Sequence, residues 1–249
     1  MAITILKNSS NQVWKDLSGN VIKDRLFNEQ LLTNGLIGEF DAEHVNNING
    51  YCQAMINQVS GGLNYYQDNV GYQYQILQDS KFNSRPYLNA TIAQGLNRMN
   101  IDLITPFSQV FVVGYYEDLS SSYGHLGINI GSNGDGNVGN CIGVMNALTG
   151  SFNPWGGTQS YPCYINNKIY TTGQDYNKKP FIVSDYYDSS RGYYYTLMYK
   201  YLSTLLTGSP LSCKGTIAAV SFYNRKLSQD EITHNMRAYG QRYNIAMEA

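Results

Sequence analysis

The stretch from Thr216 to Tyr243 constrains the fold more than any other part of the chain. Thr216 to Tyr223 reads as a strand whose Ile217, Val220 and Phe222 point into a core. The odd spacing between Ile217 and Val220 requires a bulge or twist to absorb it. A helix follows at once. Ser228 is placed to cap it, and Glu231 stands three residues on, which is a capping box. Ile232, Met236, Tyr239 and Tyr243 fall at i, i+4, i+7 and i+11, so they form one apolar stripe. Leu227, just before the cap, can pack on Ile232 as a hydrophobic staple. Asp230 and Glu231 suit the positive end of the helix dipole. This is the only convincing helix in the sequence.

The rest of the chain reads as short β segments punctuated by Gly and Asn. Leu36 to Phe40 is a strand after the turn signal Asn34-Gly35. Val110 to Tyr116 is a continuous apolar and aromatic run, suited to a strand buried on both faces. Leu126, Ile128 and Ile130 alternate with smaller or polar residues, as do Ile142 and Val144. The Gly- and Asn-rich segment Gly131–Asn137 between them makes a hairpin signature. Phe181 to Val183 and Tyr193 to Tyr201 form a further candidate pair. Asn46 to Gly50 reads as a loop. Many strands and one late helix predict an all-β, two-sheet antiparallel jelly-roll sandwich with a C-terminal helix. Residues 1–34 are less regular and are read as an N-terminal segment able to act as an anchoring arm. Residues 35–249 are read as the sandwich.

Composition narrows the function. Charged residues are 14% of the 249, against about 25% in typical domains, and the net charge is -1. No global field would draw the chain onto nucleic acid or an anionic membrane. No segment approaches the ~20 apolar residues of a membrane span, so membrane insertion is not expected. The first residues lack the pattern of a signal peptide, which predicts synthesis and folding in a cytoplasm. Cys52, Cys141, Cys163 and Cys213 have no metal-ligand spacing, and are read as buried thiols. No cofactor is predicted.

The segment Gly215-Thr-Ile-Ala-Ala-Val-Ser-Phe-Tyr-Asn-Arg-Lys-Leu-Ser-Gln-Asp-Glu-Ile-Thr-His-Asn235 resembles the last strand and closing helix of concanavalin A-like domains of the laminin G-like type. The tail Tyr239-Gly-Gln-Arg-Tyr-Asn-Ile245 is similar to that family's ending. Gly35-Leu-Ile-Gly-Glu-Phe-Asp-Ala42 resembles its opening strand, and Ser84-Arg-Pro-Tyr-Leu-Asn89 its short Arg-Pro segment before a strand. The resemblance runs from about residue 35 to 245. It implies a lectin-like sandwich. Stand-alone domains of this kind are frequent among tailed-phage virion proteins, which implies a non-catalytic capsid-decorating or fibre component located in the virion. The implied partners are other virion subunits and a host surface polysaccharide, with homo-oligomer formation open.

Three sets of residues are candidates for chemistry. The alternative to a non-catalytic protein is Glu39-Phe-Asp-Ala-Glu43, which matches the Glu-x-Asp-x-Glu pattern of laminarinase-type glycoside hydrolases. On a strand, residues i, i+2 and i+4 share a face. A retaining mechanism would make Glu39 the nucleophile and Glu43 the acid/base, with carboxyls ~5–5.5 Å apart. Asp41 between them would tune both. The competing reading is an opening strand with solvent-facing carboxylates, Glu43 lying already outside the sheet. For ligand binding, Trp155 in the loop-like Asn153-Pro-Trp-Gly-Gly157, with Tyr186, Tyr187, Tyr193 and Tyr194 at a hairpin tip, offers flat faces for sugar stacking. Most of the 23 tyrosines are read as core or interface. Asn133, Asp135 and Asn137 imitate the start of a calcium loop, but Val138 replaces the required Gly and no Glu stands at position twelve. No metal site is predicted. A stand-alone carbohydrate-binding protein is the third reading. His44, His125 and His234 are read as surface or locally hydrogen-bonded.

Overall fold

The computed structural model describes residues 30–89, 108–118, 124–125, 141–146, 151–155, 163–169, 176, 178–186 and 214–248. In chain order the strands are β1 (Leu36–Asp41), β2 (Val45–Ile48), β3 (Tyr51–Met55), β4 (Tyr65–Tyr66), β5 (Tyr74–Gln78), β6 (Pro86–Asn89) and β7 (Gln109–Asp118). They continue with β8 (Gly124–His125), β9 (Cys141–Asn146), β10 (Ser151–Trp155), β11 (Tyr164–Ile165), β12 (Lys168–Ile169), β13 (Phe181–Tyr186) and β14 (Lys214–Tyr223). The helix α1 (Gln229–Tyr243) follows. The expectation of a mostly β protein with one late helix is met.

An antiparallel sheet of eleven strands runs in the order β12-β11-β13-β7-β14-β6-β5-β3-β2, with β1 on β14 and β4 on β3. β14 is its organising strand. It pairs along its length with β7 on one side. On the other side it meets β6 through Thr216 and Ile217, and β1 through Ala219 to Tyr223. The bulge predicted in this strand is present, as a register shift between Ile217 and Ala219. β8, β9 and β10 form a separate three-stranded sheet in the order β10-β9-β8. The pairing of His125 with Val144 fits the hairpin read from the alternation around Gly131–Asn137. That turn, and the expected Tyr193–Tyr201 strand, lie outside the described residues.

The central strands of the large sheet are buried on both faces. Val220 pairs with Phe40 and Val112, placing these three on one face, and each is essentially without solvent contact. Phe40 there stacks edge-on against Tyr65 at 4.5 Å. The other face carries Phe111, Val113, Ala219 and Tyr223, and α1 packs onto it. The predicted stripe supplies the contact: Ile232, Met236, Tyr239 and Tyr243 are all buried. An aromatic chain joins sheet and helix, with Phe111 at 5.9 Å from Tyr223 and 6.3 Å from Tyr239. It continues from Tyr243 to Phe82 at 6.0 Å and on to Tyr87 at 5.4 Å. Such pairs add ~0.5–1.5 kcal/mol each beyond area burial. Among the described residues eight tyrosines are buried in the core.

The capping box of α1 is complete. Ser228 Oγ accepts from Glu231 N at 3.3 Å, and Glu231 Oε2 accepts from Ser228 N at 2.8 Å. Leu31 and Leu32 pack on the same core. Leu31 is buried, Leu32 N donates to Asn235 Oδ1 at 3.0 Å, and the Tyr223 hydroxyl donates to Leu32 O at 2.8 Å. Asn235 Nδ2 donates to that hydroxyl at 3.0 Å, which closes a small buried network.

Two local readings need correction. Asn46 to Gly50 is not a loop throughout, because Val45–Ile48 is β2, an edge strand pairing with β3. The chain turns at residues 42–44, before β2, and again at Asn49-Gly50, between β2 and β3, so only the end of that segment is a turn. Trp155 is not in a loop but at the end of β10. Pro154 is tolerated because β10 is an edge strand, and the register shifts between Asn153 and Trp155.

Candidate functional site

The strand β1 sets the site. Its Phe40 enters the core, so Glu39 and Asp41 must point to the opposite face, under the last turns of α1. The strand ends at Asp41 and the chain turns through Glu43 and His44. Asp41 makes that turn. Its Oδ1 accepts from Glu43 N and His44 N, both at 3.0 Å, and lies 2.7 Å from His44 Nδ1. Its side chain is only 4% exposed, so the carboxylate acts as a buried capping group.

Two arginines meet the three carboxylates. Arg242 of α1 places Nη1 3.3 Å from Glu39 Oε1 and 3.7 Å from Asp41 Oδ2. Arg85, which precedes β6, donates from Nη1 to both oxygens of Glu43 at 2.9 and 2.8 Å. Its Nε donates to the Arg242 carbonyl at 2.9 Å, so the two arginines are themselves coupled. The guanidinium of Arg242 lies 5.8 Å from the Tyr239 ring. Burial works against the charge on Arg242, but the neighbouring Tyr239, Tyr243 and Glu39 outweigh it and hold its pKa above the usual arginine value. Burial pushes the Tyr243 hydroxyl up, with Asp41 adding to the effect.

The cluster has a floor and a rim. Glu39, Asp41 and Arg242 are mostly covered, while Glu43, Arg85 and His44 are reachable from solvent. The structure thus brings Glu39, Asp41 and Glu43 to one place, as their spacing suggested, but by a strand and a turn. Glu43 lies outside the sheet. Sequence reasoning missed Arg85 and Arg242 as members. The only available signal was a cation in the last turn of the helix, three residues past Tyr239 and off the apolar stripe.

Among the aromatic candidates, Tyr186 ends β13, half-buried, with Lys226 Nζ 4.7 Å from its ring centroid. Trp155 is the last residue of β10. Tyr187, Tyr193 and Tyr194 lie outside the described residues, as do Asn133, Asp135 and Asn137. Among the described residues no group of three or more His, Cys, Asp or Glu is arranged to hold a metal. Cys52 and Cys163 are buried, and burial pushes the Cys52 thiol up to about 12 and Cys163 well above the usual thiol value. Neither is a reactive thiolate. Among the described residues no helix is long and apolar enough to cross a membrane.

No protein-family model matches the sequence, nor does any curated protein. Solved structures do match in fold. The Trypanosoma rangeli sialidase in complex with sialic acid superposes with a TM-score of 0.50 over 92% of this chain, at 12% identity. The same organism's sialidase in complex with the inhibitor DANA gives 0.51 over 85% of the chain, also at 12% identity. The chain spans about a third of the length of those sialidases, 35% and 34% respectively. At this identity the likeness is one of fold. It corrects the expectation of a non-catalytic virion component: the structures matched in fold at this level are sialidases. The capsid-decorating or fibre role falls with that correction, and nothing in these matches supports the expected location in a virion.

Proposed function

We propose that this chain belongs to a glycan-acting enzyme of the glycoside hydrolase class, and that the cluster of Glu39, Asp41 and Glu43 with Arg85 and Arg242 is its working site. The observation that carries the reading is the convergence of three carboxylates from one short segment on two arginines at a partly open rim. The fold likeness to sialidases supports the same class without fixing the chemistry. We also read the large sheet, whose central strands are buried on both faces, as one layer of a concanavalin A-like jelly-roll sandwich. The partner is then a polysaccharide. Tyr186, with Trp155, Tyr187, Tyr193 and Tyr194, stays our candidate set for stacking against it.

Glycoside cleavage needs one carboxyl group to give a proton to the leaving oxygen and another to face the developing oxocarbenium ion. Glu39 has one oxygen engaged by Arg242 and the other available, which suits the nucleophile or stabiliser. Glu43 has both oxygens occupied by Arg85. It becomes available for proton transfer when an entering glycan draws Arg85 away. Asp41, filled by His44 and two backbone amides, is a positioning residue. It fixes the turn that carries Glu43.

The test is to incubate the purified chain with β-glucans, sialosides and bacterial surface polysaccharides, and to measure reducing ends released. At least one glycan is cleaved, and Glu39→Gln lowers the rate at least about a hundredfold with an unchanged circular dichroism spectrum. Failure to cleave any of them, or full activity in Glu39→Gln, overturns the reading.

A further inference from the structure

A second feature lies on the other flank of α1. Between the end of the helix, the β11–β12 turn and the residues leading into β13 is a cavity of about 450 Å3. Small-molecule sites occupy ~300–1,000 Å3. Its wall includes Asn166, Tyr176, Lys179, Pro180, Asn244 and Glu248. None of these belongs to the carboxylate–arginine cluster.

The wall is held in place by its own bonds. Asn166 stands in the left-handed region at φ 47 and makes the tight β11–β12 turn. Its N–H donates to Ile182 O at 2.9 Å, its Oδ1 accepts from Ile182 N at 2.8 Å, and its carbonyl accepts from Glu248 N at 2.7 Å. The Glu248 carboxylate is fixed twice more. Tyr176 donates its hydroxyl to Oε1 at 3.0 Å, and Lys168 Nζ stands 3.7 Å from Oε2. Asn244 caps the helix at φ 54, and its backbone N–H donates to Gly240 O. Lys179 is exposed, and its N–H donates to Tyr176 O at 3.2 Å. A segment that would otherwise be a loose tail is thereby pinned as one side of a preformed cavity.

We propose that this cavity binds a single neutral pyranose, at a site separate from the carboxylate–arginine cluster. A pyranose is apolar on its C–H faces and carries a ring of hydroxyls that both donate and accept. The wall matches both aspects. Tyr176 and Pro180 supply apolar surface. The Glu248 carboxylate accepts from hydroxyls, Lys179 donates, and the Asn166 and Asn244 side chains are amides, a group that can do both. The two charged groups in the wall, Glu248 and Lys179, cancel, so a sugar carboxylate would lose hydration without a net opposite charge to meet it. The inference does not rest on hydrolysis, since the cavity has only to hold the sugar.

The experiment is a titration of the full chain with the methyl glycosides of glucose, galactose, mannose, N-acetylglucosamine and glucuronic acid, followed by ligand-observed NMR and calorimetry. At least one neutral glycoside saturates in the millimolar range, and the glucuronide binds more weakly. Lys179→Ala and Glu248→Gln each weaken binding about tenfold or more. Gln229→Ala, at the far end of α1, leaves it unchanged. Glu248→Gln keeps an oxygen for Tyr176, and thermal unfolding followed by circular dichroism verifies that both variants fold. The proposal is overturned if no neutral glycoside saturates, or if binding is unchanged in both cavity variants. A chain that binds the pyranose here but cleaves no glycan removes the hydrolase reading and leaves this one standing.

Discussion

Glu231 shows how one side chain serves several contacts. It completes the capping box with Ser228 and pairs with Arg225, whose Nη2 lies 2.6 Å from Oε1 and Nη1 3.0 Å from Oε2. The Arg225 hydrogen bonds, with those from Ser228, hold its pKa down to about 2. A carboxylate whose folded pKa is depressed stabilises the fold above its unfolded value of about 4.3, and loses that contribution as pH falls toward the folded value. Glu231→Gln is therefore expected to cost about 1 kcal/mol at pH 7, discounted because the pair is partly exposed to solvent. The gap to the parent should narrow below pH 4.3 and close near pH 2. Urea unfolding at pH 7, 4 and 2.5 checks this, and a gap independent of pH contradicts it. The capping box was legible in the sequence because every partner lies within six residues. The arginines of the site were not: Arg85 meets Glu43 across 42 positions and Arg242 meets Glu39 across 203. Such pairings are set by how the sheet and helix pack, which no local pattern encodes.

At the scale of elements, α1 and β14 behave as read. The apolar stripe and the bulge are both consequences of spacing, and spacing is visible in a sequence. Gly240 is a feature the stripe did not announce. A Cβ there would lie 2.8 Å from Met247 Cε and 2.9 Å from the backbone carbonyl of Ile245. The methionine tip can move, but the carbonyl belongs to the turn that ends the helix. Gly240→Ala gains ~1 kcal/mol in helix propensity and loses ~1–3 kcal/mol to overpacking. The balance predicts a net destabilisation, read as a lower urea midpoint. A midpoint at or above that of the parent would show that the tail shifts freely. β2 and β10 were misread because their sequences lack strand chemistry. Val45-Asn-Asn-Ile48 is polar in its middle, and it pairs because Asn46 Nδ2 donates to Gln53 Oε1 at 2.7 Å across to β3 and the edge faces water. Pro154 signals a break, yet an edge strand can hold it at a bulge.

At the scale of the molecule, the all-β class and the closing helix could be read from the residues, while the function could not. The resemblance to a lectin-like family rested on the closing strand and helix, and a fold does not fix an activity. Most tyrosines read as core or interface, and among the described residues five of them, Tyr87, Tyr164, Tyr223, Tyr239 and Tyr243, pack in the core between sheet and helix. In this chain the helix delivers Arg242 onto the carboxylates of β1, while Arg85, just before β6, closes over Glu43. The most direct measurement is a crystal structure of the Glu39→Gln chain soaked with an oligosaccharide that the parent chain cleaves. The account predicts sugar density across the Glu43–Arg85 rim, with the Arg85 guanidinium drawn off the Glu43 carboxylate. Sugar bound only elsewhere, with the Arg85–Glu43 pair intact, would contradict it.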